Sequence, residues 1–418
     1  MFIFPGYVYF QKEDNVIYVT SKLHQNTVKL TDPAIINEFN SLVEYGGCDE
    51  LSTPLTNFLH EQELLSTESE IHQNIDTIRK LMQDMLLITM MPTEACNFRC
   101  PYCYENHEPV SMSRKTLDNI LKYLTAQVSH FKHVHISWFG GEPTLRKDVI
   151  LETAHLIQDL QHSNAFSYSS NMTTNGYLLD SESFKQYYNA GITNYQITLD
   201  GWTHDKTRPH VSGNGTLAQI LKNLISISKL DPKLYNFRIT LRHNILPGDE
   251  DYSWYDHLNT LFGNDKRFSV TIRPVGDWGG ETVHSLKLLS GNSIDALMAK
   301  HINYLNQIGL QCGNERRDYL SQICCAGYPH SLVFRANAKI VKCTLCLDHP
   351  KNSIGIVDPD KGVLLDNAAN SKWTHSKLNS ECLKCSDVLS CLNLQCRRQV
   401  VIDGIEHSTC SITQKNLY

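Results

Sequence analysis

Residues 94–105 read EACNFRCPYCYE and put three cysteines within eight positions: Cys96, Cys100 and Cys103, spaced C-x3-C-x2-C, with no fourth nearby. A closed structural zinc site takes four ligands, commonly from paired C-x2-C units. An iron–sulfur cube that only carries electrons also takes four. Three cysteines around a four-iron cube leave one iron open to a small molecule. Pro101 and the aromatics Phe98, Tyr102 and Tyr104 would pack such a loop and shield its cluster. The competing reading is half of a zinc site.

The stretch directly follows a β-rich run, LLITMM (86–91). Five more such runs follow: HVHISWF (133–139), SYSSNMTTN (167–175), YQITLD (195–200), FRITLRHNI (237–245) and FSVTIRPV (268–275). Amphipathic helices separate them. The first carries Leu117, Ile120, Leu121, Leu124, Val128 and Phe131 at 3–4 spacing, and others are expected near 148–162, 181–190, 216–230, 251–262 and 293–309. Alternating β and α predicts an α/β fold with a parallel sheet and helices outside it. Six units rather than eight predict an open, partial (β/α)6 TIM-like barrel, with its chemistry in the loops after the strands. The three cysteines occupy such a loop.

Residues 1–75 read as a separate α+β module. YVYF, NVIYVTSKL and NTVKLT are strand-like, KEDN (12–15) is a hairpin turn, and helices are expected at 33–42 and 54–65. The polar STESEIHQN (66–74) reads as the linker, entering a helix. The barrel is expected over 86–310. Residues 311–418 break into short strands, turns and cysteines, a region expected to rely on bound metal for cohesion.

Of 418 residues, 41% are hydrophobic and 20% charged, with a formal net charge of −6. That balance argues against nucleic acid as a partner, which calls for a basic face. No apolar run approaches the roughly 20 residues of a membrane span. The start, MFIFPGYVYF, has no cationic region or cleavage site of a signal peptide, so a cytoplasmic location is expected. There, fourteen cysteines point to metal or cluster ligation rather than disulfides. Cys48 stands alone, reading as a small buried hydrophobe; ten cysteines fall between 312 and 410, and residues 104–311 have none.

The C-x3-C-x2-C loop resembles that of the radical S-adenosylmethionine (SAM) enzymes. The resemblance implies a [4Fe–4S] cluster on Cys96, Cys100 and Cys103 whose open iron chelates SAM. One electron, from an external donor of flavodoxin or ferredoxin type, then cleaves SAM to a 5′-deoxyadenosyl radical that takes a hydrogen atom from substrate. Further motifs follow in the family's order. WFGGEPT (138–144) resembles the GGE motif, implying that Gly140 and Gly141 approach SAM closely and that Glu142 meets its ammonium. TTNGYLL (173–179) resembles the ribose-contacting segment, with Thr174 and Asn175. QITLDGWTHDKTRPH (196–210) resembles the LDG…HD…R segment, with Asp200, His204, Asp205 and Arg208. Arg242 of LRHN is a candidate for the SAM carboxylate, and Tyr102 joins the SAM-binding set.

The C-terminal cysteines resemble the SPASM extension with its two auxiliary [4Fe–4S] clusters. The resemblance assigns Cys382, Cys385, Cys391 and Cys410 to the second and Cys324, Cys343 and Cys396 to the first; the first's fourth ligand stays open among Cys312, Cys325 and Cys346, or absent, with Cys346 carried forward. Two departures stand out: Ala338 replaces the family glycine, and CLNLQC (391–396) holds four residues between cysteines where the family has three. A zinc ribbon at 382–396 is the alternative.

SPASM enzymes modify peptides or proteins. The N-terminal module resembles the winged-helix-like units that bind leader peptides, where an extended leader adds a strand to a sheet edge; a plain barrel cap is the competing reading. The expected function is a maturase that abstracts hydrogen from a ribosomally made precursor peptide and installs a crosslink, a thioether foremost and a C–C bond second. Two alternatives stand beside it. A formylglycine-generating sulfatase maturase would place Asp where Thr344 stands. A non-catalytic metal-stapled binding protein would not cleave SAM. In RPVGDWGGE (273–281), Asp277 is a candidate catalytic residue and Trp278 a candidate substrate contact.

Overall fold

A computed structural model describes residues 1–280, 282–313 and 319–405. Cys410 lies outside these. The chain divides into two compact units.

The larger is built on Met85–Arg316 and His330–Asn370. Its first six strands are Met85–Met90, His133–Trp138, Ser167–Thr174, Ile192–Thr198, Arg238–Ile245 and Phe268–Pro274. They lie side by side in chain order, every pair parallel. Helices Arg114–Gln127, Lys147–Ser163, Ser181–Asn189, Leu217–Ser228, Ser253–Phe262 and Asn292–Gln307 fill the crossovers and follow the last strand. Along its first three strands one face of the sheet is buried and the other half-buried. The inward and outward rows of the first strand, Leu86, Ile88 and Met90 against Met85, Leu87 and Thr89, alternate between buried and half-buried. The six β/α units of the sequence reading are all present.

Beyond the sixth strand the structure departs from expectation. Residues 330–370, expected to cohere through bound metal, also cohere by sheet pairing and apolar burial. Ser331–Phe334 pairs parallel to the first barrel strand, and Lys339–Val341, Ser353–Asp358 and Gly362–Leu365 continue antiparallel, making one ten-stranded sheet. Leu332, Val333, Phe334 and Ile340 are buried in it. The region borrows the barrel's open edge instead of building a separate core. Ala338 turns the chain between two of these strands with φ of 68°, the left-handed conformation that the family glycine would supply without strain.

The smaller unit gathers Met1–Asp84, Arg317–Pro329 and Ser371–Gly404. Val8–Glu13, Val16–Ser21 and Thr27–Leu30 form an antiparallel sheet, the first two joined by the expected turn with Asp14 at φ 51°. Helices Pro33–Tyr45 and Pro54–Glu61 follow. The stretch read as a linker is instead the start of a third helix, Glu68–Gln83. Thr67 and Glu70 form a reciprocal capping box at its N-terminus, and Ile71, Ile75, Ile78 and Met82 bury one face. The T-x-x-E pattern was visible, but a polar first turn masks the apolar stripe that begins after it. Within this unit the Gly6 N–H donates to Leu383 O at 2.8 Å, tying the N-terminal segment to the CLKC turn.

Candidate active site

The C-terminal ends of the six parallel strands surround one cleft of about 180 Å³, partly open to solvent. Its lining includes Cys96, Cys100, Cys103 and Tyr102 from the loop after the first strand, Gly140, Gly141 and Glu142 from the second, Thr174 and Asn175 from the third, and Arg242 from the fifth. Of the barrel residues singled out in the sequence, Pro101, Asp200, His204, Asp205 and Asp277 stand apart from this lining. Asp200 sits just behind it, and Asp277 is half-exposed.

Local backbone explains the convergence. Gly140 has φ of 109°, and a Cβ on it would stand 2.5 Å from Thr93 O; one on Gly141 would stand 2.3 Å from Ala95 O. The glycine pair therefore lies flat on the backbone that enters the cysteine loop, a contact no side chain allows. Glu142 follows, 1% exposed. Its Oε1 accepts from Thr144 N (3.1 Å), Thr144 Oγ1 (2.6 Å) and Thr174 Oγ1 (2.6 Å), and its Oε2 from Asn175 N (2.7 Å). Burial raises its carboxyl above the ordinary range even against these four bonds. Oε2 keeps acceptor capacity for one further donor from the cleft.

Behind Tyr102 lies a polar knot. Its hydroxyl donates to Asp200 Oδ2 and accepts from Arg208 Nη1 (3.0 Å) and Asn244 Nδ2 (3.2 Å). Asp200 also accepts from Thr207 Oγ1 (3.0 Å) and from Asn244 N and Nδ2 (3.3 and 3.2 Å). Arg242 Nε donates to Asn244 Oδ1 at 2.7 Å. The knot ties the cysteine loop to the fourth and fifth strands. Sequence reasoning assigned no SAM-binding role to Arg208, Asn244, Gln196 or Thr198, which also line the cleft. Asn244 and Thr198 were findable, because residues two apart on a strand share a face and Arg242 and Gln196 mark that face.

His204 is fully buried, and its Nδ1 accepts from Asp200 N at 3.1 Å. Burial, then the charge of Arg208, pulls it down to about 4 from 6.5. An unfolded chain takes this proton near the ordinary value and the folded one only near the lowered value. Stability is therefore complete above the ordinary value and lost as pH falls through the interval, by up to about 3 kcal/mol. His204→Gln is expected to flatten this part of the stability–pH curve in denaturant titrations between pH 6.5 and about pH 4. An unchanged slope would assign the acid sensitivity elsewhere.

The three thiols fit a metal cluster. Burial pushes Cys96 and Cys103 up to about 12, and raises Cys100 as well. As bare thiols they would stay protonated at neutral pH, and only a strongly positive centre would hold them as thiolates. The Phe98 N–H already points at Cys96 Sγ, 3.3 Å away, and the Arg208 charge faces Cys100.

The C-terminal cysteines divide between the units. Cys324, Cys325, Cys382, Cys385, Cys391 and Cys396 belong to the smaller; Cys312, Cys343 and Cys346 belong to the larger. Cys312 is buried beside Val270. In the smaller unit the Cys325 thiol, backbone N–H groups of Arg397 and Ala326, and the Arg397 guanidinium lower Cys324 against its burial. The additional residue in CLNLQC is taken up by left-handed turns at Leu392, Asn393 and Gln395, with φ of 49°, 56° and 49°.

Residues 90–261 match the family model described as the Radical SAM superfamily. These residues form a radical SAM domain, and the chain is a radical SAM enzyme. It is 26% identical over 256 residues to GTP 3′,8-cyclase of Haemophilus ducreyi, covering 56% of this chain and 72% of that one. It is 31% identical over 150 residues to GTP 3′,8-cyclase of Aliarcobacter butzleri, spanning 34% of this chain and less than half, 42%, of that relative. In fold it is similar to Streptococcus suis SuiB bound to precursor peptide SuiA, with a TM-score of 0.52, 14% identity and 94% of each chain covered. It is also similar to anSMEcpe with bound AdoMet and Cp18Cys peptide, with a TM-score of 0.51, 18% identity, and 73% and 88% covered. At these identities the likeness to the two structures is one of fold. Among the described residues no helix is long and apolar enough to cross a membrane.

Proposed function

We propose that this enzyme is a peptide maturase. It cleaves SAM, takes a hydrogen atom from a ribosomally made precursor peptide, and installs a crosslink, a thioether in the first instance. The observation that carries the proposal is the joining, in one chain, of a SAM-type cleft with an N-terminal unit whose three-stranded sheet leaves strand edges Val8–Glu13 and Thr27–Leu30 unpaired within that sheet. An extended leader adds a strand to such an edge. The fold likeness to SuiB, which extends over 94% of this chain, supports the same reading.

The cluster on Cys96, Cys100 and Cys103 supplies the electron that cleaves SAM. The chain's own residues do the rest. Glu142 Oε2 takes a SAM ammonium proton in a hydrogen bond. Gly140 and Gly141 let the backbone approach. Thr174 and Asn175 face the ribose, Arg242 offers a cation to the carboxylate, and Tyr102 braces the loop through Asp200. Cys382, Cys385, Cys391 and Cys410 would hold one auxiliary cluster, and Cys324 and Cys396 would contribute to the other. Clusters held there would offer a site for the electron left after bond formation or for the substrate thiolate. Domains at 1–75, 86–310 and 311–418 divide recognition, SAM cleavage and auxiliary electron transfer.

The formylglycine reading draws support from the fold likeness to anSMEcpe, and Thr344 in place of an acid counts against it. The GTP 3′,8-cyclase relatives align over about half of this chain or less, so their activity does not account for the N-terminal unit. The test is anaerobic reconstitution, iron counting, and incubation with SAM, dithionite and a precursor peptide encoded beside the gene. Expected are about twelve irons, 5′-deoxyadenosine and a peptide lighter by two hydrogens. Unchanged mass with deuterium uptake would replace crosslinking by epimerisation. Zinc without iron and no SAM cleavage would remove the maturase reading.

A further inference from the structure

The loop after the sixth strand, 275–280, is anchored at Val275 and Gly280, and Thr282 beyond it supplies a third anchor. Val275 is buried, and its N–H donates to Ile245 O at 3.0 Å. Gly280, at φ 103°, lies against the cysteine loop so closely that a Cβ would stand 2.3 Å from Cys103 O. Thr282 Oγ1 donates to Pro101 O at 2.7 Å. Beyond it Val283 is fully buried. Between the anchors, Asp277 turns outward, accepting from Gly279 N at 3.0 Å with His284 Nδ1 3.5 Å away. Trp278 turns the other way and lines the cleft with Pro274, Val275 and Gly276. Its indole crosses Gly276, where a Cβ would stand 2.8 Å from Nε1.

We propose that loop 275–280 is a cap latched onto the cysteine loop through Gly280 and through Thr282 beyond it, and that Trp278 is the wall that closes the reaction cleft and determines which substrates enter it. The argument is geometric. The indole is the one large apolar side chain the loop sends into the cleft. The two latch points fall on the backbone of the residues between and at the second and third cysteines, so loop position and cleft closure move together. A reactive radical takes hydrogen from whatever lies in reach, and a wall that excludes water and small molecules restricts it to the intended substrate. Asp277, on the outer side of the loop, holds the turn rather than touching reactants. This inference rests on the SAM chemistry of the barrel and not on the peptide reading, so either can fail without the other.

The experiment uses the anaerobically reconstituted full chain with SAM and dithionite and no peptide. It reads 5′-deoxyadenosine formation and the loss of cluster absorbance after admitting air. Trp278→Ala is expected to speed both by about fivefold or more, with Trp278→Phe close to wild type. Gly280→Ala, which forces the latch apart, is expected to act in the same direction. Thr282→Val, which removes one hydrogen bond without a clash, gives a smaller change of the same sign and keeps the test valid should Gly280→Ala not fold. Rates within about twofold of wild type for both Trp278→Ala and Thr282→Val would overturn the cap. Iron lost from Trp278→Ala before air is admitted would also overturn it, since the indole would then support the cluster loop instead of closing the cleft.

Discussion

Cys100→Ala is expected to abolish 5′-deoxyadenosine formation and to lower iron content by about four atoms per chain, with the remaining iron unchanged. The expectation follows from the position of the three thiols. They line one cleft, and a four-iron cluster already left with one open iron by three thiolates would lose a second protein ligand with Cys100. Cys100 also faces the Arg208 charge, which after the substitution has lost its thiolate neighbour. Anaerobic SAM cleavage and iron counting on the same preparation separate the outcomes. SAM cleavage at the wild-type rate would show that the loop does not hold the reacting cluster. Loss of all iron would show that the auxiliary cysteines do not load independently.

Arg335→Met is expected to destabilise the folded chain by about 3–5 kcal/mol, among the larger costs open to a single substitution. Arg335 and Glu94 are 2% and 6% exposed, and their forked pair measures 2.9 and 2.8 Å. Arg335 also donates to Leu347 O (2.9 Å) and Asp348 Oδ1 (2.7 Å). Removing the guanidinium strands a buried carboxylate without a counter-charge. Glu94 stands two residues before Cys96 and Arg335 directly follows strand Ser331–Phe334, so the pair joins the cysteine loop to the C-terminal extension of the sheet. Urea unfolding measures the cost. The double substitution Arg335→Met with Glu94→Leu is expected to recover most of it, because the penalty lies in the unpaired charge rather than in the lost pair. A single-variant loss under about 1 kcal/mol would mean that water reaches Glu94.

The outcome at the capping box of Thr67 and Glu70 shows how far local pattern reaches. Six β/α units, the hairpin at 12–15 and the two helices opened by Pro33 and Pro54 all follow from periodicity and turn chemistry, which act between residues a few positions apart. The third helix was hidden only because its first turn is polar. The C-x3-C-x2-C loop, the glycine pair and Glu142 were likewise legible, since each motif is contiguous and its order along the chain follows the order of the strands.

What the sequence by itself determined is thus the parallel α/β barrel, the chemical class of its cysteine loop and the residues at the strand ends. Tertiary structure alone decided the rest. It put Tyr102, Asp200, Arg208 and Asn244 into one hydrogen-bonded knot, although they lie up to 142 positions apart. It set residues 330–370 on the barrel's open edge and grouped residues 371–404 with the N-terminal unit. It sent Trp278 into the cleft and Asp277 out of it. The reason is physical. Sheet edges, buried charges and packed backbones are satisfied by whichever distant segment arrives with the right shape and partner, and local spacing carries no record of that partner.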